Sequence, residues 1–214
     1  MTKKQCKRRL GKLVSAFFRT GLKNRDFSLI SNNCWGGKIY NRYGLPYLSP
    51  TVGCYFYTDE FLKFLGDLKH NLTLPLRMIT YEGSRYKEDL IHKKQTEVPI
   101  GLINEDIEVV FLHYKDPEEA REKWERRCKR VNFDNLIVKM NDQNGFYEEA
   151  LDVFLQTDFP HKLFLTGNEK YKDRENVVFM EKYKDDGYVV DDTRSRNLGI
   201  RTTKYLNSVI TKKH

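Results

Sequence analysis

The chain has 214 residues with 13 Phe and 13 Tyr, enough length and aromatic content to bury a sizeable core, which argues against a disordered chain. Its formal charge of +8 suggests a nucleic-acid binder until it is mapped: residues 1–25 hold nine basic and no acidic residues, leaving 29 basic against 30 acidic over the remainder. The body is neutral, nucleic acid is not an expected partner, and no apolar run reaches the about 18 residues that a membrane-spanning helix needs.

Within residues 1–25, Lys3, Lys4, Lys7, Arg8, Arg9, Lys12, Arg19, Lys23 and Arg25 interleave with Leu10, Leu13, Val14, Phe17, Phe18 and Leu22 at helical spacing. The pattern predicts a basic amphipathic helix that either packs its apolar stripe on the domain or lies on anionic lipid. Charges interrupt the apolar stretch and no small-residue cleavage site follows, so it does not read as a cleaved signal. Residues 26–214 read as one α/β domain.

β-Prone runs at Phe27 to Ser31, Leu76 to Thr80, Ile107 to Leu112, Leu136 to Met140, Lys162 to Thr166 and Asn176 to Met180 alternate with helical patterns. The predicted helices are Gly37 to Tyr43, Thr58 to His70, Pro117 to Arg130, Phe146 to Gln156 and Thr202 to Lys212. This alternation predicts an α/β fold with three α/β/α layers around a largely parallel or mixed sheet. The polar stretch from Tyr81 to Glu97 reads as a surface loop.

The first run ends in Ser31-Asn32-Asn33-Cys34-Trp35-Gly36-Gly37, a polar corner closed by glycines. A strand that stops there and restarts as a helix delivers side chains and backbone N–H groups to the sheet rim where open α/β folds bind ligands. Asn32, Asn33, Trp35, Gly36 and Gly37 are therefore expected to contact substrate. Ser49 and Thr51, in the loop that follows, either join them or satisfy their own backbone.

Asp116-Pro117-Glu118-Glu119 supplies a helix cap, a first-turn proline and a capping-box glutamate, placing His113 at the end of the preceding strand. If that strand runs parallel to Phe27 to Ser31, Cys34 and His113 share the rim, joined by Asp142 in the turn Asn141 to Gly145. A thiol, an imidazole and a carboxylate permit acyl transfer or hydrolysis, with Cys34 as nucleophile, His113 as base and Asp142 or Asp116 as orienter. A helix N-terminus and a nearby imidazolium both favour the thiolate. The competing reading makes Cys34 a buried small hydrophobe and Asp116 only a cap.

Arg126, Arg127 and Arg130 complement the dipole at the end of their helix, with phosphate binding the lesser reading, and Asp185-Asp186 with Asp191-Asp192 read as a solvated turn ahead of a magnesium site. The cysteines Cys6, Cys34, Cys54 and Cys128 lack metal or disulfide spacing, which suits a reducing cytoplasmic location. No metal site and no cofactor are expected.

The corner residues, Tyr40 to Gly44, Ser49-Pro50-Thr51, Phe111-Leu112-His113-Tyr114, Trp124-Glu125-Arg126-Arg127 and Asn132-Phe133-Asp134-Asn135-Leu136 resemble a bacterial family of unknown function. Its members are described as exopolysaccharide or capsular polysaccharide biosynthesis proteins. The resemblance spans Asp26 to about Leu206, leaves the basic helix outside, and implies a three-layer α/β/α fold. A looser similarity links Cys34, His113 and Trp124 to Arg127 with papain-like families, and it assigns no Asn or Asp to the third catalytic place.

The resemblance implies a transferase that modifies a glycan or lipid-linked glycan at the cytoplasmic membrane face; the residues read above add Cys34 chemistry and residues 1–25 on an anionic surface. One alternative is a sugar-nucleotide enzyme with no covalent step, Gly36 and Gly37 N–H groups holding the phosphates. The other is a non-catalytic module that binds the membrane surface.

Overall fold

The computed structural model describes residues 3–194 and 198–210, with the side chains of residues 3, 4, 7 and 8 left aside. Helix α1 (Lys3–Thr20) precedes β1 (Ser28–Ser31) and α2 (Trp35–Tyr43), followed by α3 (Thr58–Gly66), α4 (Leu68–Asn71) and β2 (Leu76–Ile79). Then come α5 (Lys87–His92), β3 (Ile100–Ile103), β4 (Ile107–Val110), α6 (Pro117–Cys128) and β5 (Leu136–Asn141). The chain continues through α7 (Glu148–Gln156), β6 (Lys162–Thr166), β7 (Val177–Phe179) and α8 (Thr202–Val209).

Strands β1, β5, β6 and β7 form, in that order, a wholly parallel sheet in which Ser28 faces Leu136 and Val138 faces Lys162. Side-chain alternation divides its residues between two cores. Leu29, Ile137, Leu163 and Leu165 pack with Leu22, Trp35, Ile39, Tyr40 and Leu206, on the side of α1, α2 and α8. Ile30, Val138, Met140 and Phe164 pack with Phe61, Phe64, Trp124, Leu151 and Phe154, on the side of α3, α6 and α7. The expected α/β class is thus observed, with apolar strands covered on both faces as parallel sheets require.

One strand lies elsewhere than expected. β4 does not run parallel to β1; it pairs antiparallel with β3, which pairs antiparallel with β2, in a separate three-stranded sheet. β3 is an additional strand, and α5 occupies part of the stretch read as a loop. The predicted helix from Thr58 to His70 breaks at Asp67, which adopts φ −141° and caps α4 by accepting from His70 N at 3.2 Å. Helix α8 ends at Val209, and residues 211–212 of its predicted range lie outside the described residues.

The cap of α6 is as expected: Asp116 Oδ1 accepts from Glu119 N at 2.8 Å, and Glu119 Oε2 accepts from Lys115 N at 2.8 Å. Helix α1 docks on α2. Ser15 Oγ donates to Asn41 O at 3.1 Å, Arg19 Nη1 donates to Gly44 O at 3.1 Å, and Phe18 meets Tyr43 edge-on.

Candidate functional site

β1 and β5 remain paired one residue past β1, with Asn32 N donating to Lys139 O at 3.2 Å; the chain then turns and Cys34 becomes the N-cap of α2. The corner is fixed by its own side chains. Ser31 Oγ donates to Asn33 O at 2.7 Å and accepts from Gly36 N at 3.3 Å, while Asn33 Oδ1 accepts from Trp35 N at 3.1 Å.

Segment 46–57 crosses this corner and ties it to the second sheet. Phe56 N donates to Asn32 O at 3.0 Å, Tyr55 bridges Val110 of β4, and His113 N donates to Gly53 O at 3.0 Å. His113 therefore reaches the rim through the crossing segment, not as the end of a neighbouring parallel strand. Cys34 Sγ points at the same segment, donating to Cys54 O at 3.7 Å. Cys34 and His113 together line two adjoining cavities.

The first, of about 220 Å³, lies between α2 and α6 and is lined by Cys34, Gly37, Lys38, His113, Lys123 and Arg127, with Asn41, Tyr47 and Tyr114. Its ionisable lining carries Lys38, Lys123 and Arg127 and no carboxylate. Lys123 reaches Glu119 at 2.5 Å, one turn back on α6. Arg127 is 7% exposed, and Nη1 donates to Tyr114 Oη at 2.5 Å and Val52 O at 3.3 Å.

The Arg127 guanidinium lies 4.8 Å from the Tyr47 ring and 5.9 Å from the Tyr114 ring, and no carboxylate pairs with it among the described residues. Two aromatic faces offset only part of the desolvation of a buried cation, at roughly 0.5–2 kcal/mol each. The cavity also depends on missing side chains. A Cβ on Gly37 would stand 3.0 Å from Val52 Cγ1, and Gly53 adopts φ +80°, with its Cβ position 3.1 Å from the Tyr114 ring.

The second cavity, of about 380 Å³, adds Asn33, Lys93, Gln143 and Asp191 to Arg194 to the shared Cys34, Lys38 and His113. Behind it lies a polar cluster buried in the sheet. Lys139 projects from the middle of β5 and is fully buried, as is Asp192; Lys139 Nζ donates to Asp192 Oδ2 at 2.5 Å and to Asn33 Oδ1 at 3.1 Å.

The amides complete the shell. Asn33 Nδ2 donates to Asp192 Oδ1 at 3.0 Å, Asn141 Nδ2 to Asp192 Oδ2 at 3.0 Å, and Asn32 Nδ2 to Asn141 Oδ1 at 2.9 Å. Gln143 accepts from Asn33 and Asn141 and donates Nε2 to Val190 O at 2.8 Å. Burial pulls Lys139 below the usual lysine range, and Asp192 works against that shift.

The same burial governs the thiol. Cys34 is pushed up to about 11, chiefly by desolvation, with Lys38 pulling it down and Asp192 pushing it further up. The corner position predicts a lowered thiol; burial turns the direction to the opposite, because loss of water outweighs the nearby cations.

Asp142 lies apart from His113 in its bonding. Its Oδ2 accepts from Thr166 Oγ1 at 2.7 Å and Gly167 N at 3.0 Å, and its Oδ1 from Val189 N at 2.7 Å. Burial raises its pKa against these donors. It joins the rim loops, and no bond to His113 is present among the described residues.

Of the predicted substrate-binding residues, Asn33 and Gly37 reach the cavities. Asn32 is buried in the amide cluster, Gly36 N is taken by Ser31, and buried Trp35 donates Nε1 to Leu198 O at 2.7 Å. Ser49 and Thr51 are buried and satisfy backbone: Thr51 Oγ1 accepts from Ser31 N at 3.1 Å, and Ser49 Oγ accepts from Thr51 N at 3.2 Å. Lys139, Asn141, Gln143, Asp192 and the exposed cation of Lys38 are additional site residues. The signal for Lys139 is a lysine inside the apolar run Leu136 to Met140, where a buried strand has no water to offer it.

Among the described residues no group of three or more His, Cys, Asp or Glu could hold a metal ion, and Asp191 and Asp192 diverge. Asp191 accepts from Thr193 N and Oγ1 at 2.8 and 2.7 Å, while Asp192 turns inward to Lys139.

Over residues 5–211 the sequence matches the family described as "Domain of unknown function (DUF1919)", and the chain belongs to that family. It is also similar to an uncharacterized protein of Haemophilus influenzae, 33% identical over 145 residues. That alignment covers 68% of this chain and 64% of the relative, so the chain spans just under two thirds of the relative's length.

Proposed function

We propose that this member of the DUF1919 family is an enzyme of glycan assembly that binds a phosphate-bearing sugar donor of the sugar-nucleotide type in the cationic cavity and transfers the sugar with no covalent enzyme intermediate. Arg127 is the observation that carries the reading: a nearly buried guanidinium, held between two tyrosines and lacking a carboxylate partner among the described residues, lines the cavity. A phosphate matches its fork geometry and completes its charge. Lys38 and Lys123 line the same cavity. The N-terminal turn of α2 adds its dipole. The surface-polysaccharide setting is supported by the sequence resemblance.

In this reading Lys38, Lys123 and Arg127 stabilise the departing diphosphate. His113, which lines both cavities, accepts the proton of an acceptor hydroxyl entering from the second. The acceptor oxygen bonds to the sugar carbon as the sugar–phosphate bond breaks, and that electron pair leaves with the diphosphate. Cys34 as a nucleophile is the second reading, favoured by its sharing both cavities with His113.

Calorimetric titration of UDP, UDP-glucose and inorganic phosphate tests the donor site. Arg127→Gln is expected to weaken UDP binding roughly 10- to 100-fold, the scale of a charge-assisted hydrogen bond, and exposed Lys38→Gln to weaken it without loss of folding. Absence of binding by every phosphorylated probe overturns the reading. In the sugar-nucleotide reading transfer survives Cys34→Ser; in the covalent reading it does not.

A further inference from the structure

Helix α1 packs only the end of its apolar stripe on the domain, through half-buried Phe18 and, just beyond the helix, buried Leu22. Its contacts with the body run through Ser15, Phe18 and Arg19 on α2, and its end is pinned to α8, where Lys23 N donates to Asn207 Oδ1 at 2.9 Å and Asn207 Nδ2 to Gly21 O at 2.7 Å. The rest of the stripe faces outward: Leu10 is 62% exposed, Leu13 69%, Val14 46% and Phe17 74%. These residues stand at i, i+3, i+4 and i+7, so they form one continuous face two turns long. The other exposed large apolar side chains among the described residues are scattered along the chain from Ile91 to Val190.

We propose that α1 is a rigid docking face for the surface of an anionic lipid bilayer. The four apolar side chains enter the boundary between headgroups and acyl chains, and the basic residues around them meet lipid phosphates. In sequence, Lys3 and Lys7 continue the stripe's register at seven and three residues before Leu10; Arg9 and Lys12 are exposed on the helix, and Lys23 and Arg25 just beyond it.

Charge selects this occupant. Residues 1–25 carry nine basic and no acidic residues, so two copies meeting through this face would repel. A nucleic acid would engage the cations and leave the apolar side chains in water. Amphipathic burial in a negatively charged interface satisfies both. Asn41, whose carbonyl accepts from Ser15 of α1, also lines the cationic cavity, so a bilayer under α1 lies one helix from that cavity.

Vesicle flotation of the full chain tests the proposal, comparing phosphatidylcholine alone with an equal mixture of phosphatidylcholine and phosphatidylglycerol. The chain is expected to float with the anionic vesicles at least about tenfold more than with neutral ones, and less at raised salt. Leu13→Asp and Phe17→Asp each reduce flotation at least about tenfold, while the melting temperature stays unchanged because both side chains are exposed.

Equal flotation with both vesicles, no flotation, or binding indifferent to Phe17→Asp overturns it. A dimer in vesicle-free solution that Phe17→Asp dissociates assigns the face to a second copy instead. No sugar or nucleotide enters the measurement, so its outcome is independent of the donor-site reading.

Discussion

Cys34 Sγ lies 3.7 Å from the Cys54 carbonyl oxygen, so the thiol at the head of α2 is turned into the crossing segment and away from bulk water. Its pKa is pushed up to about 11 by that burial. Alkylation of Cys34, followed by mass spectrometry across a pH series, is expected to be slow at neutral pH and to rise only toward about pH 11. Lys38→Gln removes a cation that pulls the thiol down and moves the rise to higher pH. Fast alkylation near pH 7 would favour the nucleophile reading.

The Lys139–Asp192 pair sets a second expectation. Asp192→Ala leaves a buried ammonium without its counter-charge, a loss of about 3–5 kcal/mol. For a chain of this size that lowers the melting temperature by roughly 6–20 °C. Lys139 also titrates below the usual lysine range, so the unfolded chain binds more protons just beneath that range. Stability contributed by this group therefore rises with pH through the window. Thermal melts from neutral to mildly alkaline pH measure the slope, and a melting temperature unchanged in Asp192→Ala refutes the role.

Gly167 is held against the backbone of the rim segment. An added Cβ would lie 2.6 Å from the carbonyl carbon and oxygen of Tyr188 and 2.7 Å from the oxygen of Tyr183. Neither is a flexible side chain. Gly167→Ala is expected to cost about 1–3 kcal/mol in denaturant unfolding and to expose residues 183–192 to limited proteolysis.

The cap of α6 provides a control that separates stability from binding. Asp116→Ala removes the acceptor for Glu119 N, at about 1 kcal/mol. Lys123 and Arg127 lie two and three turns farther along the helix, so UDP affinity stays unchanged in calorimetry. A large affinity loss would mean that α6 transmits its start to the cavity.

Much of this architecture can be read along the chain, for reasons that particular residues make clear. Apolar runs reveal β1, β5 and β6, buried on both sheet faces, and half-buried β7, and Asp116-Pro117 marks the start of α6 because the cap chemistry is local. The antiparallel sheet is harder to see. Its β3–β4 turn places Asn104 and Glu105 at positive φ with no glycine, so the strongest hairpin signal is missing.

The site divides along the same line. Cys34 and Asn33 follow from the corner, which is local, whereas the partnership of Lys139 with Asp192 joins residues 53 apart and leaves no periodic trace. Arg127 illustrates a third case: its place in the last turn of α6 suggests a dipole partner, and only packing against Tyr47 and Tyr114 makes it a buried cation.

The 53 residues that follow Lys139 up to and including Asp192 also impose an order on biogenesis. At roughly 5–20 residues per second, a ribosome needs about 3–10 s to add them. Throughout that interval the parallel sheet can begin to form while its central lysine lacks the counter-ion that lets it be dry. The nascent sheet must hold water at its carboxyl rim until the late segment arrives, so completion of the rim is timed by translation of the chain's last quarter.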